Sequence, residues 1–276
     1  MATISTKSNR ELAFLHDLFV ATDWGERFSS LVDEQVELPE KGEALYLVCG
    51  TGGHAVALQE QAGEELKFIG VDENHEYIEL ARAKAMATDL PAEFSQGQVD
   101  SLSFKENRFD LVVGDASLIA PRRVSRMLEE MIRVAKAAST VAFYLPTASS
   151  FGEFFSIYWE ALHNCGLIDH EADVEHLITE LPTTSQVKEF AQTSGLEDVL
   201  SSTRIEEFDY ESGEAFLKSP LISDFLMLGW LNSVPKESQE LVAGEIARII
   251  NEERHEAEFA LTVKATLIVG RKSRSN

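Results

Sequence analysis

The sequence is poor in cysteine, in basic residues and in long apolar runs. Its 276 residues include two cysteines, Cys49 and Cys165, too few for a disulfide framework or a thiolate metal cluster. Lys and Arg number 24 against 47 Asp and Glu, which gives a formal net charge of -23. Such a surface repels phosphate backbones, so we expect no nucleic-acid partner. The small basic cluster Arg122, Arg123 and Arg126 is interpreted as a solvated helix face.

Long apolar segments are also lacking. The longest apolar run, Leu221 to Leu231, is interrupted by Asp224, so we predict no membrane span. The N-terminus begins with polar residues rather than with the apolar region of a signal peptide, which indicates a cytoplasmic protein. In "DHEADVEH" His170 and His176 lie on different sides of any helix, so we expect a solvated charge run there and no metal site.

What the sequence does contain is an alternation of strand and helix patterns, typical of a parallel sheet covered on both faces. Apolar strand patterns occur at 45–48, 67–72, 92–97, 108–114 and 140–146. Near the end, residues 259–269 alternate as in a half-buried antiparallel strand. A helix with a Thr or Ser cap is predicted at 183–196. The first 40 residues read as a helical extension with one apolar side, formed by Leu12, Leu15, Leu18 and Phe19.

The stretch "ALYLVCGTGGHAVALQE", residues 44 to 60, reads as a strand, a glycine turn and a helix. Glycines at such a turn let the backbone approach a ligand where a Cβ atom would clash. Gly50 to Ala55 fit the pattern G-x-G-x-x-A, and Asp72 follows about 20 residues later. An acid at that place accepts hydrogen bonds from a ribose diol, in NAD and in S-adenosylmethionine alike. The motif by itself therefore leaves the cofactor open.

Four stretches taken together resemble the class I S-adenosylmethionine-dependent methyltransferases: "LVCGTGGHAVAL", "FIGVDENHEYIELARAKA", "FSQGQVDSLSFKENRFDLVVGDASL" and "LEEMIRVAKAASTVAFYLP". The resemblance covers residues 41–146 well and 183–210 and 259–272 more loosely. It implies an α/β fold: a doubly wound, Rossmann-like, seven-stranded and mostly parallel sheet with an antiparallel last strand. It also implies an N-terminal extension at 1–40 and a methyltransferase domain at 41–276, with helical cap insertions at about 150–182 and 212–257.

The same resemblance implies S-adenosyl-L-methionine as the cofactor and assigns its contacts. Its amino-acid portion would lie against Cys49, Gly50, Thr51 and Gly52, and its ribose hydroxyls on Asp72. The adenine would meet the Gln98 side chain and the backbone N–H of Val99. Gly114 and Asp115 would lie beside the methyl group, where Asp115 can act as a general base or bind the acceptor. His54, which follows the glycines, is expected only to start a helix.

The sequence departs from the family pattern in its first motif. Tyr46 stands where the family usually has an acid, and Val48 where it usually has the first glycine. Glu73 follows Asp72 where an apolar residue often packs on the adenine. If Tyr46 and Val48 mark the decay of an ancestral site, Val48→Gly should tighten cofactor binding. If the pocket has adapted around Val48, which we favour, the same change adds backbone entropy to a buried strand end and costs on the order of 1 kcal/mol without benefit.

The predicted function is methyl transfer to a small or medium-sized, largely apolar acceptor. Its roof would be formed by the N-terminal helix and by aromatic residues of the two insertions, although these side chains could instead bury one another or form a homodimer interface. This roof set is Phe154, Phe155, Tyr158, Trp159, Phe225 and Trp230. A non-catalytic cofactor-binding domain is one alternative. A nicotinamide-dependent oxidoreductase is another, but no Tyr is followed four residues later by Lys, as short-chain dehydrogenases require.

Overall fold

The computed structural model of the chain describes residues 7–88, 91–253 and 259–274. The chain divides into two compact units. The sheet unit comprises Asn9–Leu145, Thr183–Thr203 and Ala265–Asn276, and the aromatic unit comprises Met1–Ser8, Pro146–Pro182 and Arg204–Lys264. In the part of the chain with described structure, no helix is both long enough and apolar enough to span a membrane.

The strands form one sheet in the order β3-β2-β1-β4-β5-β7-β6, with β7 antiparallel to the others. This order confirms the predicted doubly wound, mostly parallel sheet. The strands are β1 (Gly42–Leu47), β2 (Leu66–Asp72), β3 (Glu93–Gln96), β4 (Phe109–Asp115), β5 (Ala135–Pro146), β6 (Leu196–Tyr210) and β7 (Phe259–Lys272).

The register brings the carboxyl ends of the central strands to one edge of the sheet. Leu47 of β1 lies beside Val71 of β2 and Gly114 of β4, and Asp115 lies beside Tyr144 of β5. In parallel sheets, ligands bind outside these carboxyl ends. The residues that follow β1, β2 and β4 are therefore the candidates for a site.

Helices connect and cover the strands. They are α1 (Asn9–Leu15), α2 (Glu26–Gln35), α3 (Gly53–Ala62), α4 (His75–Thr88), α5 (Pro121–Val134), α6 (Gly152–Asn164), α7 (Glu171–Glu180), α8 (Thr184–Thr193), α9 (Gly213–Lys218), α10 (Met227–Trp230) and α11 (Lys236–Glu253). Two π-helical segments, His16–Gly25 and Leu221–Leu226, and a short 3₁₀ helix, Ile168–His170, complete them. The predicted cap of α8 is confirmed, because Thr183 and Gln186 form a reciprocal capping box,.

The N-terminal extension is helical, as predicted, but its buried side differs from the prediction. Leu18 and Phe19 are 61% and 53% exposed, whereas Val20, Trp24 and Phe28 are buried. The predicted apolar side assumed a regular α-helix of 3.6 residues per turn. Residues 16–25 instead form a π-helix, whose wider i to i+5 turn rotates the later side chains away from the α-helical pattern.

Aromatic rings fill the interior of the aromatic unit. Phe154 stacks on Trp230, with ring centroids 4.1 Å apart, and also contacts Phe216 at 5.7 Å. The Tyr158 hydroxyl donates to the Trp230 carbonyl at 3.1 Å. Four members of the predicted roof set, Phe154, Phe155, Tyr158 and Trp230, are at most 7% exposed. These four side chains therefore bury one another, which is the alternative to a substrate roof. Their rings form the core of the aromatic unit.

Candidate functional site at the glycine turn

The turn after β1 depends on two glycines with positive φ angles. Gly50 has φ +54° and Gly52 has φ +79°. A Cβ atom on Gly52 would lie 2.6 Å from the Ala81 Cβ, so the turn packs closely on α4. The Gly52 N–H donates to the Cys49 carbonyl at 2.9 Å, and the Cys49 N–H donates to Val71 of β2 at 3.1 Å. Sequence reasoning correctly identified a strand, a tight glycine turn and a helix at these positions.

Asp72 lies directly beneath this turn, at the end of β2. One carboxylate oxygen accepts the Gly50 N–H at 2.9 Å, and the other accepts the Asn74 N–H at 2.9 Å. Burial raises the pKa of Asp72 to about 6, against the opposing effect of these hydrogen bonds,. The helix that follows is capped by Asn74, whose side chain accepts the Glu76 N–H at 2.9 Å. Asp72 therefore joins two loops rather than capping a helix.

Val48 has a backbone conformation that its residue type disfavours. Its φ is +56°, in the left-handed region where the Cβ of an L-residue is crowded and a branched side chain more so. The expectation that Val48→Gly acts only on a buried strand end is therefore wrong, because β1 ends at Leu47 and the chain bends at Val48. The glycine that the family usually has at this position adopts such a φ without strain. The valine instead keeps the turn under strain.

The N-terminal π-helix His16–Gly25 covers the glycine turn. Asp17 accepts a 2.5 Å hydrogen bond from the Thr51 hydroxyl and also pairs with Lys84 of α4. The His16 imidazole packs on Tyr77, with ring centroids 4.6 Å apart, and a Cβ on Gly50 would lie 3.1 Å from it. Burial lowers the pKa of His16 to about 4, so its ring is neutral at pH 7,. Nothing in the motif itself signalled these contacts.

The predicted adenine side of the site contains an ion-pair cluster. Arg123 binds Glu73 through two hydrogen bonds of 2.9 and 2.6 Å and lies 3.3 Å from Asp100. The Val99 N–H donates to the Glu73 carboxylate at 3.3 Å, and the Gln98 side chain is exposed. Arg123 is thus not part of a merely solvated face, since it bridges two loops. The adenine contacts of Gln98 and Val99 stay predictions.

Gly114 and Asp115 end β4 and point to opposite faces of the sheet. A Cβ on Gly114 would lie 2.7 Å from Met127 and 2.8 Å from Met131, so α5 occupies the space beside this glycine. On the other face, the Asp115 carboxylate accepts the Ser117 N–H at 2.8 Å. Burial raises the pKa of Asp115, as expected for a carboxyl group away from water.

Asp115 lies beside a hydrogen-bonded cluster that sequence reasoning did not identify. It neighbours Tyr144 across β4 and β5, and the Tyr144 hydroxyl lies 2.8 Å from the Tyr46 hydroxyl. Tyr46 in turn lies 2.8 Å from Nδ1 of His54, whose Nε2 is 2.9 Å from Asp33. His54 does start a helix, as expected, but it also joins this cluster. The available signal was Tyr46, a polar side chain in an otherwise apolar strand.

Two aromatic residues of the N-terminal segment cover this cluster. The Trp24 indole N–H donates to the Ser117 hydroxyl at 3.0 Å, and Trp24 packs on Phe28. Phe28 contacts Tyr144, with ring centroids 5.9 Å apart. Trp24 and Phe28 are at most 1% exposed. The segment therefore shields the carboxyl ends of β4 and β5 from water.

The chain is similar to known methyltransferases in its first half. Residues 44–138 match a family model described as a methyltransferase domain. The chain is 26% identical to the demethylmenaquinone methyltransferase of Lactobacillus johnsonii over 168 residues, 57% of this chain and 68% of the relative. Identity to the protein of the same name from Shouchella clausii is 28% over 133 residues, 47% of this chain and 57% of the relative. The chain thus spans little more than half the length of the second relative.

The fold is also similar to that of solved structures. The YcgJ protein from Bacillus subtilis superposes with a TM-score of 0.59, covering 90% of this chain and 99% of that chain. Its sequence identity is 16%, so this likeness concerns the fold alone.

Proposed function

We propose, from the premise that this chain belongs to the class I S-adenosylmethionine-dependent methyltransferases, that it transfers the cofactor's methyl group to a small or medium-sized, largely apolar acceptor. The observation that carries the proposal is the juxtaposition of the glycine turn, the buried Asp72 and the half-buried Asp115 at one edge of the sheet. The cofactor supplies an electrophilic methyl group on a sulfonium sulfur. The protein then has to align a nucleophile with it and exclude water.

The residues at this edge fit such a cofactor. Gly50 and Gly52 bring bare backbone to the turn, which Cys49 and Thr51 complete against the amino-acid portion. Asp72 is held by backbone N–H groups on both carboxylate oxygens, and each oxygen keeps a further lone pair for a ribose hydroxyl. The adenine would lie toward Gln98 and Val99, beside the Glu73 and Arg123 pair. The methyl group would lie at the end of β4, near Gly114 and Asp115.

The nature of the acceptor rests on three considerations. The net charge of -23 disfavours a polyanion,. The aromatic Trp24 and Phe28 shield the end of β4, which suits an apolar compound. The similar proteins from Lactobacillus johnsonii and Shouchella clausii are named for a quinone substrate, so an aromatic ring with hydroxyl groups is the first acceptor class to test. We use 1,4-dihydroxynaphthalene, kept reduced, as the probe.

The test is titration calorimetry of the full chain with S-adenosylhomocysteine and NAD, followed by methyl transfer to a panel of small phenols and hydroquinones. We expect S-adenosylhomocysteine to bind and NAD not to bind. A hydrogen bond to a charged group contributes about 1.5 to 3 kcal/mol, so Asp72→Ala should weaken binding by roughly ten- to a hundred-fold. Binding of NAD alone would overturn the proposal, and an unchanged affinity of Asp72→Ala would remove Asp72 from the site.

A non-catalytic cofactor-binding domain is the second candidate. The strained Val48 and the ion pair of Glu73 with Arg123 favour it. Val48 departs from the family pattern at the glycine turn, and Glu73 departs from it beside the adenine. Binding of S-adenosylhomocysteine without methyl transfer to any acceptor of the panel would decide for this candidate.

A further inference from the structure

A continuous row of hydrogen-bonding side chains crosses the sheet unit from Asp115 to the surface. Its members, in order, are Asp115, Tyr144, Tyr46, His54 and Asp33. They come from β4, β5, β1, α3 and α2, so only the tertiary fold brings them together. Asp115 and Tyr144 are neighbours on β4 and β5, and the three contacts from Tyr144 to Asp33 measure 2.8, 2.8 and 2.9 Å. These distances are those of good hydrogen bonds.

Exposure rises along the row from the two tyrosines outward. Tyr46 and Tyr144 are 2% and 1% exposed, the His54 side chain is 17% exposed, and the Asp33 side chain is 49% exposed. Burial raises the pKa of both tyrosine hydroxyls well above the ordinary value. They therefore stay neutral and can pass a proton on, but they do not store one.

Two arrangements of the same hydrogen atoms satisfy every bond in the row. In the first, a protonated Asp115 donates to Tyr144, Tyr144 to Tyr46, and Tyr46 to Nδ1 of a neutral His54. In the second, all these bonds reverse: Asp115 is ionised and His54 is an imidazolium. In both, Nε2–H of His54 donates to Asp33. The two arrangements differ by the transfer of one proton between the buried carboxyl and the imidazole, since each hydroxyl accepts one hydrogen and donates another.

We infer that this row is a proton relay, in which Asp115 takes the proton that the acceptor releases on methylation and Tyr144, Tyr46 and His54 carry it to Asp33 and water. The inference rests on the proposed function. A bond forms between the acceptor atom and the methyl carbon, the bond from that carbon to sulfur breaks, and its electron pair stays on sulfur. The acceptor's proton moves to ionised Asp115, and the His54 imidazolium, which accompanies ionised Asp115 in the second arrangement, releases its Nε2 proton to Asp33 and water. Tyr46, at the family's acid position, is then a positioning and proton-transfer residue.

The charged and titratable groups around the row support this direction of transfer. Asp115 faces Asp72 across the sheet edge, and Tyr46 faces Cys49 and Asp33 as well as Asp115. Negative neighbours make a buried carboxylate a better proton acceptor. His54 Nε2 lies 2.9 Å from Asp33, the most exposed member of the row. A proton entering at Asp115 therefore moves toward the more exposed end.

The first experiment measures coupling through the row without any acceptor. The full chain is labelled with ¹⁵N-histidine, and the His54 signal, assigned with His54→Gln, is titrated by NMR. Asp115→Asn removes an anion at the far end, so we expect the His54 midpoint to fall by about one pH unit. In a Tyr144→Phe background the row is interrupted, and the same substitution should then shift the midpoint by less than half as much. An equal shift in both backgrounds means through-space coupling and overturns the relay.

The second experiment measures methyl transfer to 1,4-dihydroxynaphthalene as a function of pH. Tyr46→Phe should lower kcat by about a hundred-fold near pH 6.5, with the KM for the probe and the affinity for S-adenosylhomocysteine little changed. The deficit should shrink as pH rises, because hydroxide can then accept the proton. The matched control is Tyr158→Phe, which also loses one buried hydroxyl bond but lies in the aromatic unit. We expect it to keep both kcat and the pH profile.

The two proposals fail in different ways. If wild-type protein methylates the probe and Tyr46→Phe has the same pH profile, the relay is wrong and the methyltransferase function stands. If wild-type protein binds no S-adenosylhomocysteine and transfers no methyl group, the proposed function is wrong. The NMR comparison still decides, in that case, whether the row conducts a proton.

Discussion

Replacing Val48 tests the strain that the structure places at the start of the glycine turn. The informative comparison is between Val48→Gly and Val48→Ala. Both substitutions remove the packing of the valine side chain against the core, so this loss nearly cancels between them. They differ in the Cβ atom, which the φ of +56° disfavours.

The expected difference follows from two opposing effects. A residue with a Cβ atom costs about 1–2 kcal/mol in the left-handed conformation. Glycine loses more backbone entropy on folding and is usually about 0.5–1 kcal/mol less stable than alanine. At Val48 the first effect is larger. Val48→Gly should therefore be more stable than Val48→Ala by about 1 kcal/mol, which corresponds to roughly 2–4 °C in Tm for a chain of this size.

The assay is thermal and urea unfolding of both variants, with the same pair of substitutions at Val113 as the control. Val113 is fully buried in β4 and has no positive φ, so there alanine should be the more stable variant. If alanine is also preferred at Val48, the strain is absent and the turn does not need a glycine there.

Two further predictions concern other residues of the site. First, because burial raises the pKa of Asp72 from 3.8 to about 6, the folded protein binds this proton more tightly than the unfolded chain, so stability should fall by about 3 kcal/mol as pH rises from 3 to 7. Asp72→Asn should lose this pH dependence in urea unfolding, whereas the exposed control Asp23→Asn keeps it; the same dependence in both variants would contradict the assignment. Second, Gly52→Ala should cost more stability than Gly114→Ala, because its Cβ meets a helix alanine at a positive φ, whereas the other meets flexible methionine ends. Equal losses in thermal unfolding would show that the Gly52 turn relaxes freely.

The sequence predicted the fold well because the fold depends on local patterns. Apolar strands and helices alternate along residues 44–146, and that alternation favours a parallel sheet with helices on both faces. The glycines after β1 and the acid after β2 signal a ligand turn, and both have the expected placement. The capping box at Thr183 is also a purely local signal,.

The candidate site was predicted only in part, because several of its contacts join distant segments. Arg123 looked like a solvated charge until the fold paired it with Glu73. His16 and Asp17 lie over the glycine turn although nothing in "HD" indicates it. The aromatic roof set suited either a substrate or mutual packing, and four of its members bury one another.

By itself, then, the sequence determined the strands and helices that build the sheet and the position of the glycine turn, because each depends on residues that are neighbours along the chain. The tertiary structure decided how Tyr46 is used. From the sequence alone, a tyrosine where the family usually has an acid indicates the loss of a function. The sequence does not show which residues are its neighbours in space. Folding places its hydroxyl between Tyr144 and His54, and a buried hydroxyl takes its chemical role from the partners that the fold brings within hydrogen-bond distance.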